Sequence, residues 1–311
     1  MSASPIWAIS CLFNPRRYRA RIANFREFRS RLEVPLVAVE LSFDGRFELG
    51  PEDADVLVQV EGGDVMWQKE RLLNLGRAHL PAECEAVAML DADVVFTRRG
   101  WTEAARERLR TVPVLQLFER MHYLEPSDRV EEVLEQGREG GDPGYGWALR
   151  SGAVTLDRLR EPGPHGRGRC TPGFAWAYRR DLLDRHGLFD GNIIGGGDTA
   201  MLCAGWGAFD AVEMRHAMTP RHRDYYRAWA EPWFADVKRE VHALEGHLLH
   251  LHHGTLLDRK SYDRHRLLAA HEFDPYTDIA PHAAGSWRWA SDKPEMHRGL
   301  ERYFADRRED G

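Results

Sequence analysis

Short apolar runs alternate with amphipathic stretches over the first hundred residues of this chain. The runs have the length of buried strands and cover residues 5–13, 36–41, 56–60 and 86–90. Between the first two runs, Ile22, Phe25 and Phe28 recur at helical spacing among arginines. Alternating strands and helices predict parallel βαβ units, and open sheets of this kind bind ligands at the carboxyl ends of their strands. The pattern therefore predicts an α/β fold with Asp91 and Asp93 at the binding edge, directly after the fourth run.

The pattern is less regular in the second part of the chain. Residues 209–214 and 248–253 contain strand-like apolar runs, residues 220–244 are typical of surface helices, and residues 258–271 predict a last helix. Residues 137–173 contain ten of the 28 glycines, a composition that disfavours regular elements. We expect this segment to be a long mobile loop that orders over a bound substrate and excludes water.

Composition narrows the class of protein. The chain has 311 residues, 43% of them hydrophobic, and its net charge of −6 gives no basic surplus for binding nucleic acid. The apolar run near the start is too short to cross a membrane and lacks the basic flank of a signal peptide. Cys11, Cys84, Cys170 and Cys203 have no zinc-binding spacing, and free thiols suit a reducing compartment. We expect a cytoplasmic protein with no transmembrane segment.

Asp91 and Asp93 are the first candidates for chemistry. Two carboxylates at positions i and i+2 after a buried strand can share a divalent cation such as Mg²⁺ or Mn²⁺ with substrate phosphates. Such a metal neutralises a diphosphate leaving group as its bond to a sugar breaks. The alternative is a strand-ending turn in which the aspartates cap the next element. The uninterrupted apolar lead-in of residues 87–90 favours the metal site.

A glycine-rich motif presents a third carboxylate. The three glycines of residues 195–197 let the backbone approach a ligand closely, and Asp198 follows them with little steric cover. Its carboxylate could take the proton of an acceptor hydroxyl as a general base. The alternative is a helix N-terminus that Asp198 caps, and the two interpretations are compatible.

A late histidine cluster is the next candidate. His250 shares a face with His252 in an extended strand, whereas a turn before Gly254 brings His250 and His253 together. Histidine suits Mn²⁺ or Zn²⁺ better than Mg²⁺. The alternative is the polar face of a surface strand, but three histidines in four positions inside an apolar run favour at least one metal ligand.

Three further side chains are weaker candidates for ligand contacts. Lys69 lies near a predicted strand end and could meet a phosphate or a base, or could be a solvated helix residue. Glu40 ends the second strand and could hold a ribose hydroxyl, or only cap. Trp176 could stack on a sugar face, or pack in the core.

The order of these motifs resembles that of GT-A-fold glycosyltransferases, particularly bacterial members of the broad family that includes polysaccharide polymerases and galactosyltransferases. The matching stretches are residues 9–14, 90–93, 173–180, 195–198 and 250–254. The first of them resembles the first nucleotide-binding strand, which places Phe13 and Asn14 at the nucleotide. The second resembles the DxD motif, the third and fourth a galactosyltransferase-type block with an acidic catalytic base, and the last a metal-binding strand.

The resemblance implies a role for each matching side chain. Asp93 would be the principal metal ligand, and Asp91 would touch ribose or metal. His250 or His253 would complete the protein's coordination of Mn²⁺ or Mg²⁺. Asp198 would be the base of an inverting displacement that moves a sugar from a nucleoside diphosphate, UDP above all, to a hydroxyl acceptor. That acceptor would be a glycan, a lipid-linked sugar or a small molecule.

The resemblance also implies a fold and a division of the chain. We expect one globular α/β domain of the GT-A type, with a Rossmann-like nucleotide-binding sheet and a mixed acceptor-side sheet. Within a catalytic domain of residues 1–255, residues 1–100 would form the nucleotide-sugar half and residues 101–255 the acceptor half. Residues 256–311 would form a helix and tail packed on the core. One departure is that Gly197 stands where the related block has a Glu, so acceptor chemistry does not transfer.

Two other functions fit parts of the sequence. A metal-dependent nucleotidyltransferase also pairs carboxylates on an α/β sheet, but it needs a glycine-rich phosphate loop after the first strand. Residues 14–17 supply no glycine there. A non-catalytic sugar- or nucleotide-binding protein with the same fold is the alternative from another class.

Overall fold

The four apolar runs at the start of the chain form the parallel half of a sheet. The computed structural model describes residues 6–161, 170–255, 258 and 263–310. The first strands are β1 (Ile6–Phe13), β2 (Leu36–Ser42), β3 (Val56–Glu61) and β4 (Ala86–Leu90). They lie in the order β4-β1-β2-β3 and are all parallel, so their carboxyl ends meet at one edge, as predicted.

The remaining strands complete a mixed sheet and two smaller ones. They are β5 (Val94–Phe96), β6 (Val114–Gln116), β7 (Arg120–Tyr123), β8 (Asp142–Pro143), β9 (Ala175–Arg179), β10 (Val241–Ala243), β11 (His247–His250), β12 (Ile279–Pro281) and β13 (Trp287–Trp289). Within the described residues, the large sheet has the order β10-β6-β9-β4-β1-β2-β3, with β9 antiparallel to β4 and β6. The order β5-β11-β7-β8 gives a second sheet, and β12 pairs with β13. This is the single-domain mixed α/β architecture that the resemblance implied.

Helices cover both faces of the large sheet. They are α1 (Arg19–Arg31), α2 (Lys69–Gly76), α3 (Trp101–Leu109), α4 (Val130–Gln136), α5 (Tyr145–Arg150), α6 (Asp157–Arg160), α7 (Arg180–His186), α8 (Gly197–Trp206), α9 (Phe209–Arg215), α10 (Pro220–Val237), α11 (His265–Ala270), α12 (Pro275–Asp278) and α13 (Pro294–Asp306). Phe25 and Phe28 of α1 pack in one apolar cluster with Leu12 of β1, and Leu73 of α2 packs in another with Ile9. Ile9 and Leu12 thus enter different clusters. Successive side chains of a strand point to opposite faces, and these two residues are an odd number of positions apart.

The path of α2 depends on one glycine. A Cβ on Gly76 would lie 2.7 Å from Cγ2 of Ile9 and 3.0 Å from Cγ2 of Val39. Only a residue without a side chain therefore lets the end of α2 lie this close to β1 and β2. This contact holds the helix start, where Lys69 and Glu70 lie, against the binding edge of the sheet.

Two predicted elements are different in the structure. The predicted strand over residues 209–214 is wrong, because α9 occupies this stretch. The short apolar run is compatible with a strand or a helix, and packing of Ala211 and Val212 against α8 favours the helix. Residues 137–173 contain β8, α5 and α6 rather than irregular chain alone, because Tyr145 and Leu159 bury apolar surface in the core. Residues 162–169 lie outside the described residues, and the mobility of the segment stays a prediction.

The last part of the chain has more structure than the single helix predicted there. That helix begins only at His265, and most of residues 256–262 lie outside the described residues. α12, the β12–β13 pair and α13 follow, and Phe304 of α13 packs against Phe13 and Trp67. All four cysteines are free thiols, as predicted. A search of the described residues finds no helix with the length and apolar character that a membrane crossing requires.

Candidate active site

Strand pairing brings Asp93 next to the late histidines. β4 ends at Leu90, and the two aspartates lie in the short turn between β4 and β5. β5 pairs antiparallel with β11 in a register that sets His250 opposite Val94. The backbone N–H of Leu251 donates to the Asp93 carbonyl at 2.8 Å, which fixes the turn against the end of β11. Residues more than 150 positions apart in the sequence thus meet at the edge of the sheet.

Asp93, His250 and His253 form a cluster with the spacing of metal ligands. One ligand atom from each lies within 4.8 Å of the others. His253 Nε2 is 2.8 Å from Asp93 Oδ2, and His250 Nε2 is 3.8 Å from Asp93 Oδ1. One carboxylate oxygen and two imidazole nitrogens are a donor set that suits Mn²⁺ better than Mg²⁺. The residues present therefore fit a divalent transition metal.

Aromatic side chains hold one of these histidines in place. The His250 ring packs edge-on against Phe174 and Tyr123, with centroid separations of 5.0 and 5.2 Å. Phe174 has a left-handed backbone with φ of +81°, which is uncommon for a bulky side chain, and its carbonyl accepts from the Asp91 N–H at 2.8 Å. Backbone strain of this kind is concentrated at functional sites.

A second carboxylate cluster surrounds Lys69. Its Nζ lies 2.6 Å from Asp91 Oδ1 and 2.8 Å from Asp198 Oδ2, so one ammonium joins the two predicted site residues. Burial by itself disfavours the charged form, but the carboxylates of Asp198 and Asp91 outweigh it and hold the pKa of Lys69 well above its usual range. Loss of hydration raises the pKa of Asp91, with Lys69 opposing and Asp198 adding to the rise.

Asp198 lies in the first turn of α8. Gly195 and Gly196 precede it with φ of +88° and +91°, a left-handed turn that glycine adopts without strain. The N-cap, Gly196, has no side-chain cap, and the Asp198 carboxylate is directed to Lys69. The helix dipole favours a negative charge at this position. The predicted cap is therefore wrong: no described side chain caps the start of α8, and Asp198 lies inside the first turn with its carboxylate bonded to Lys69.

Glu70 occupies the space next to Gly197. A Cβ at Gly197 would lie 2.0 Å from Oε1 and 2.2 Å from Cδ of Glu70, so no side chain fits there. Burial raises the pKa of Glu70 to about 8, with Lys69 opposing and Asp198 adding to the rise. The departure noted in the glycine block thus has a structural counterpart: a carboxyl group from α2 fills the place beside Gly197.

A cavity opens at the strand ends and joins both clusters. It is lined by predicted site residues, namely Phe13, Lys69, Asp91, Asp93, His250 and His253. It is also lined by residues that the sequence did not single out, namely Cys11, Leu12, Arg21, Asn24, Trp67, Leu90, Ala92, Phe174 and Arg307. Arg21 and Arg307 add positive charge to a protein with a negative total, which suits an anionic ligand.

Asn14 and Glu40 lie in a neighbouring depression rather than in this cavity. The Asn14 amide donates to the Tyr18 carbonyl at 3.0 Å, at the start of α1. The Glu40 carboxylate accepts from the backbone N–H of Glu48 at 2.5 Å and from Gln59 Nε2 at 3.1 Å. The carboxylate predicted to hold a ribose is thus used to fix a loop of the protein itself, which corrects that prediction.

Trp176 is a core residue. It lies on β9 between β4 and β6 and is 3% exposed, and its indole N–H donates to the Pro172 carbonyl at 2.9 Å. Because helices cover both faces of the central strands, an aromatic side chain there is buried on either face. The predicted stacking of Trp176 on a sugar is therefore wrong.

Arg307 is the functional candidate that sequence reasoning missed most clearly. Its guanidinium lies over the Trp67 ring at 5.3 Å, donates to the Tyr303 hydroxyl at 3.0 Å and contacts Glu309 at 2.5 Å. Burial disfavours its charge, but Tyr303 and Glu309 outweigh this and raise the pKa of Arg307. The only sequence signal was a charged stretch near position 300, which is typical of solvated ends.

Comparisons with known proteins give structural similarities alone. No family model matches the sequence, and no curated protein sequence matches it. Among solved structures, the chain is similar to S. aureus TarS 1-349 (TM-score 0.41, 12% identity, 86% of this chain and 64% of that one). It therefore spans less than two thirds of that structure.

Two further solved structures are similar over most of the chain. Glucosyl-3-phosphoglycerate synthase from Mycobacterium tuberculosis, in complex with Mn²⁺, UDP-glucose and phosphoglyceric acid, has a TM-score of 0.41 and 14% identity over 93% of this chain and 87% of that one. A mannosyltransferase from Pyrobaculum calidifontis, in complex with GDP-mannose and Mn²⁺, has a TM-score of 0.36 and 16% identity over 77% and 69%. At these values, any assignment of function depends on the residues of the site itself.

Proposed function

We propose that this protein is a metal-dependent glycosyltransferase that moves a sugar from a nucleoside diphosphate, UDP, to a hydroxyl acceptor by inversion. The observation that carries the proposal is the convergence of Asp93, His250 and His253 on a cavity at the carboxyl ends of parallel strands. Asp91, Lys69 and Asp198 extend from that cavity in an unbroken chain of ion pairs. A metal site and a positioned carboxylate are the two parts that such a transfer needs.

Asp93, His250 and His253 would hold Mn²⁺, with Mg²⁺ the poorer fit because of the two nitrogen donors. When bound, the metal supplies positive charge to a diphosphate as it leaves the sugar. Arg21 and Arg307 line the same cavity and would bind the remaining phosphate oxygens. Phe13 lies with them at the end of β1 and would give the nucleoside an apolar wall.

Asp198 would accept the proton of the acceptor hydroxyl. Its carboxylate is held by Lys69 Nζ at 2.8 Å, and a Cβ on Gly173 would lie only 2.9 Å from Asp198 Oδ2, so this glycine leaves the carboxylate its space. An ionised carboxylate in a fixed position serves as general base. Lys69 also binds Asp91, so the base and the donor side of the cavity share one rigid link.

The test is release of UDP from a panel of UDP-sugars, with and without Mn²⁺, first with water alone and then with added glycan, lipid-linked sugar and small-molecule hydroxyl acceptors. Wild type is expected to release UDP from at least one sugar only with Mn²⁺. Asp198→Asn is expected to lower kcat by about 10²–10⁴-fold while the donor still binds. Asp184→Asn is the matched control, because this carboxylate pairs with Arg180 on the exposed side of α7.

Other outcomes would replace the proposal. Donor binding without turnover in either protein would indicate a non-catalytic binding protein. Formation of pyrophosphate from UTP and a sugar phosphate would indicate a nucleotidyltransferase.

A further inference from the structure

A residue near position 310 lies directly behind the candidate metal ligands. Glu309 is 1% exposed, and its Oε1 is 3.6 Å from Nδ1 of His253. The other nitrogen of that ring, Nε2, is 2.8 Å from Asp93 Oδ2. The His253 imidazole is therefore placed between two carboxylates, one facing the cavity and one behind it.

The Glu309 carboxylate is held by two guanidinium groups. Arg307 Nη2 lies 2.5 Å from Oε1, and Arg21 Nε lies 3.5 Å from Oε2. These two contacts fix the position of the buried carboxylate.

Backbone contacts fix the segment that carries Glu309. The Asp310 carboxylate accepts from the N–H groups of Arg19 and Ala20 at the start of α1, at 3.1 and 2.8 Å. The Tyr18 hydroxyl shares its single proton between the carbonyls of Phe304 and Ala305, each 3.0 Å away. The segment is therefore bound to the same helix that supplies Arg21.

The turn after the histidines packs on this segment as well. Gly254 has φ of +72°, and a Cβ there would lie 3.0 Å from the Arg308 carbonyl and 3.1 Å from Cα of Glu309. Glycine at this position lets the two stretches of backbone touch. The distance between His253 and Glu309 is thus set by main-chain packing and not by flexible side chains alone.

We propose that Glu309 is a positioning residue of the metal site, which orients His253 so that Nε2 faces the cation shared with Asp93. A metal-ligating histidine commonly donates its second ring N–H to a carboxylate, which fixes the tautomer and the ring orientation. Glu309 is the carboxylate in that place, on the Nδ1 side. The proposal rests on the metal site of the proposed function and adds a residue that does not contact the metal or the substrate.

The test measures Mn²⁺ affinity of the nucleotide-free protein by calorimetry, with thermal unfolding recorded without metal. Glu309→Gln is expected to weaken Mn²⁺ binding by about 10–100-fold, the usual cost of losing such a partner. Asp310→Asn is the matched control, because it alters the neighbouring anchor and leaves His253 untouched; its affinity is expected to stay within about twofold. If Glu309→Gln does not fold, Glu309→Asp keeps the charge but withdraws it from His253, and a smaller loss is expected.

Each outcome decides the matter. Wild-type affinity in Glu309→Gln overturns the proposal, as does an equal loss in Asp310→Asn, which would mean that only docking of the segment matters. Asp93→Asn separates the two levels of inference. If it abolishes Mn²⁺ binding while Glu309→Gln binds normally, the metal site stands and the role of Glu309 is refuted. If wild type binds no Mn²⁺ either alone or in the presence of UDP, both are refuted.

Discussion

Asp93 lines the cavity and Asp198 is joined to it through Lys69, and the two carboxylates have different nitrogen partners. Asp93 lies among two imidazoles, and within the described ranges this is the one group of His, Cys, Asp and Glu with metal-ligand spacing. Asp198 shares the ammonium of Lys69 with Asp91. An imidazole can add a nitrogen ligand for a metal beside the carboxylate, whereas an ammonium neutralises the carboxylate's charge. Similar acidic motifs thus differ in their surroundings: Asp93 has further ligand atoms for a cation beside it, whereas Asp198 already has a cation in Lys69.

The largest expected effect comes from removing the internal cation. Lys69→Met leaves Asp91 and Asp198 close together without their shared ammonium. Breaking a buried ion pair from one side costs about 3–5 kcal/mol, and we expect a loss near this size in the free energy of unfolding by urea. Lys69→Met/Asp198→Asn should recover part of it, because one unpaired charge is removed. A loss below about 1 kcal/mol would mean that solvent screens this cluster and that the contrast with Asp93 is smaller than described.

Gly197→Ala tests the crowding around Asp198 and is expected to have a smaller effect. The new Cβ would meet the Glu70 carboxyl at 2.0 Å, and overpacking of this kind costs about 1–3 kcal/mol. Glu70→Ala removes the colliding atoms. A double-mutant cycle in urea should therefore show a favourable coupling between Gly197→Ala and Glu70→Ala. Additive losses would show that Glu70 does not occupy this space in solution.

The dependence of stability on pH tests the charge on Glu70, in the same cluster. The pKa of Glu70 rises from 4.5 to about 8 on folding, chiefly through burial. The folded state then binds more protons than the unfolded state between these values, so the free energy of unfolding should fall as pH rises from about 5 to 8. Glu70→Gln cannot titrate and should flatten this slope in urea unfolding at several pH values. An unchanged slope would place the titration elsewhere.

The sequence predicted the position of the two aspartates better than that of the other candidates. The fully apolar β4 leads directly into Asp91 and Asp93, so topology alone places both at the binding edge. The apolar run that begins at Phe209 is too short for its periodicity to distinguish a helix from a strand. Packing against the rest of the protein determines that it is a helix. Trp176 shows the same limit for function. A tryptophan occurs both in protein cores and at sugar-binding sites, so the residue type alone did not reveal that Trp176 is buried.

Contacts between distant parts of the chain were beyond the reach of the sequence. Glu309 meets His253, and Arg307 meets Trp67, only because α13 packs beside β1 and the start of α1. No local pattern encodes such a meeting. Glu40 could be assigned to the end of β2 from sequence, but its use by a loop depends on where that loop folds back. The sequence thus shows which charged residues are present, but it does not show which of them pair with one another.

Binding of UDP with and without Mn²⁺ tests the central claim most directly. Calorimetry should show that Mn²⁺ tightens UDP binding to the wild type by at least about tenfold, because a metal held by Asp93, His250 and His253 would supply positive charge to the diphosphate. Asp93→Asn should lose this effect, whereas Asp44→Asn, a carboxylate of the neighbouring depression, should keep it. UDP affinity that does not depend on Mn²⁺, or a metal effect that survives in Asp93→Asn, would contradict the assignment of Asp93, His250 and His253 as the metal centre of a glycosyltransferase.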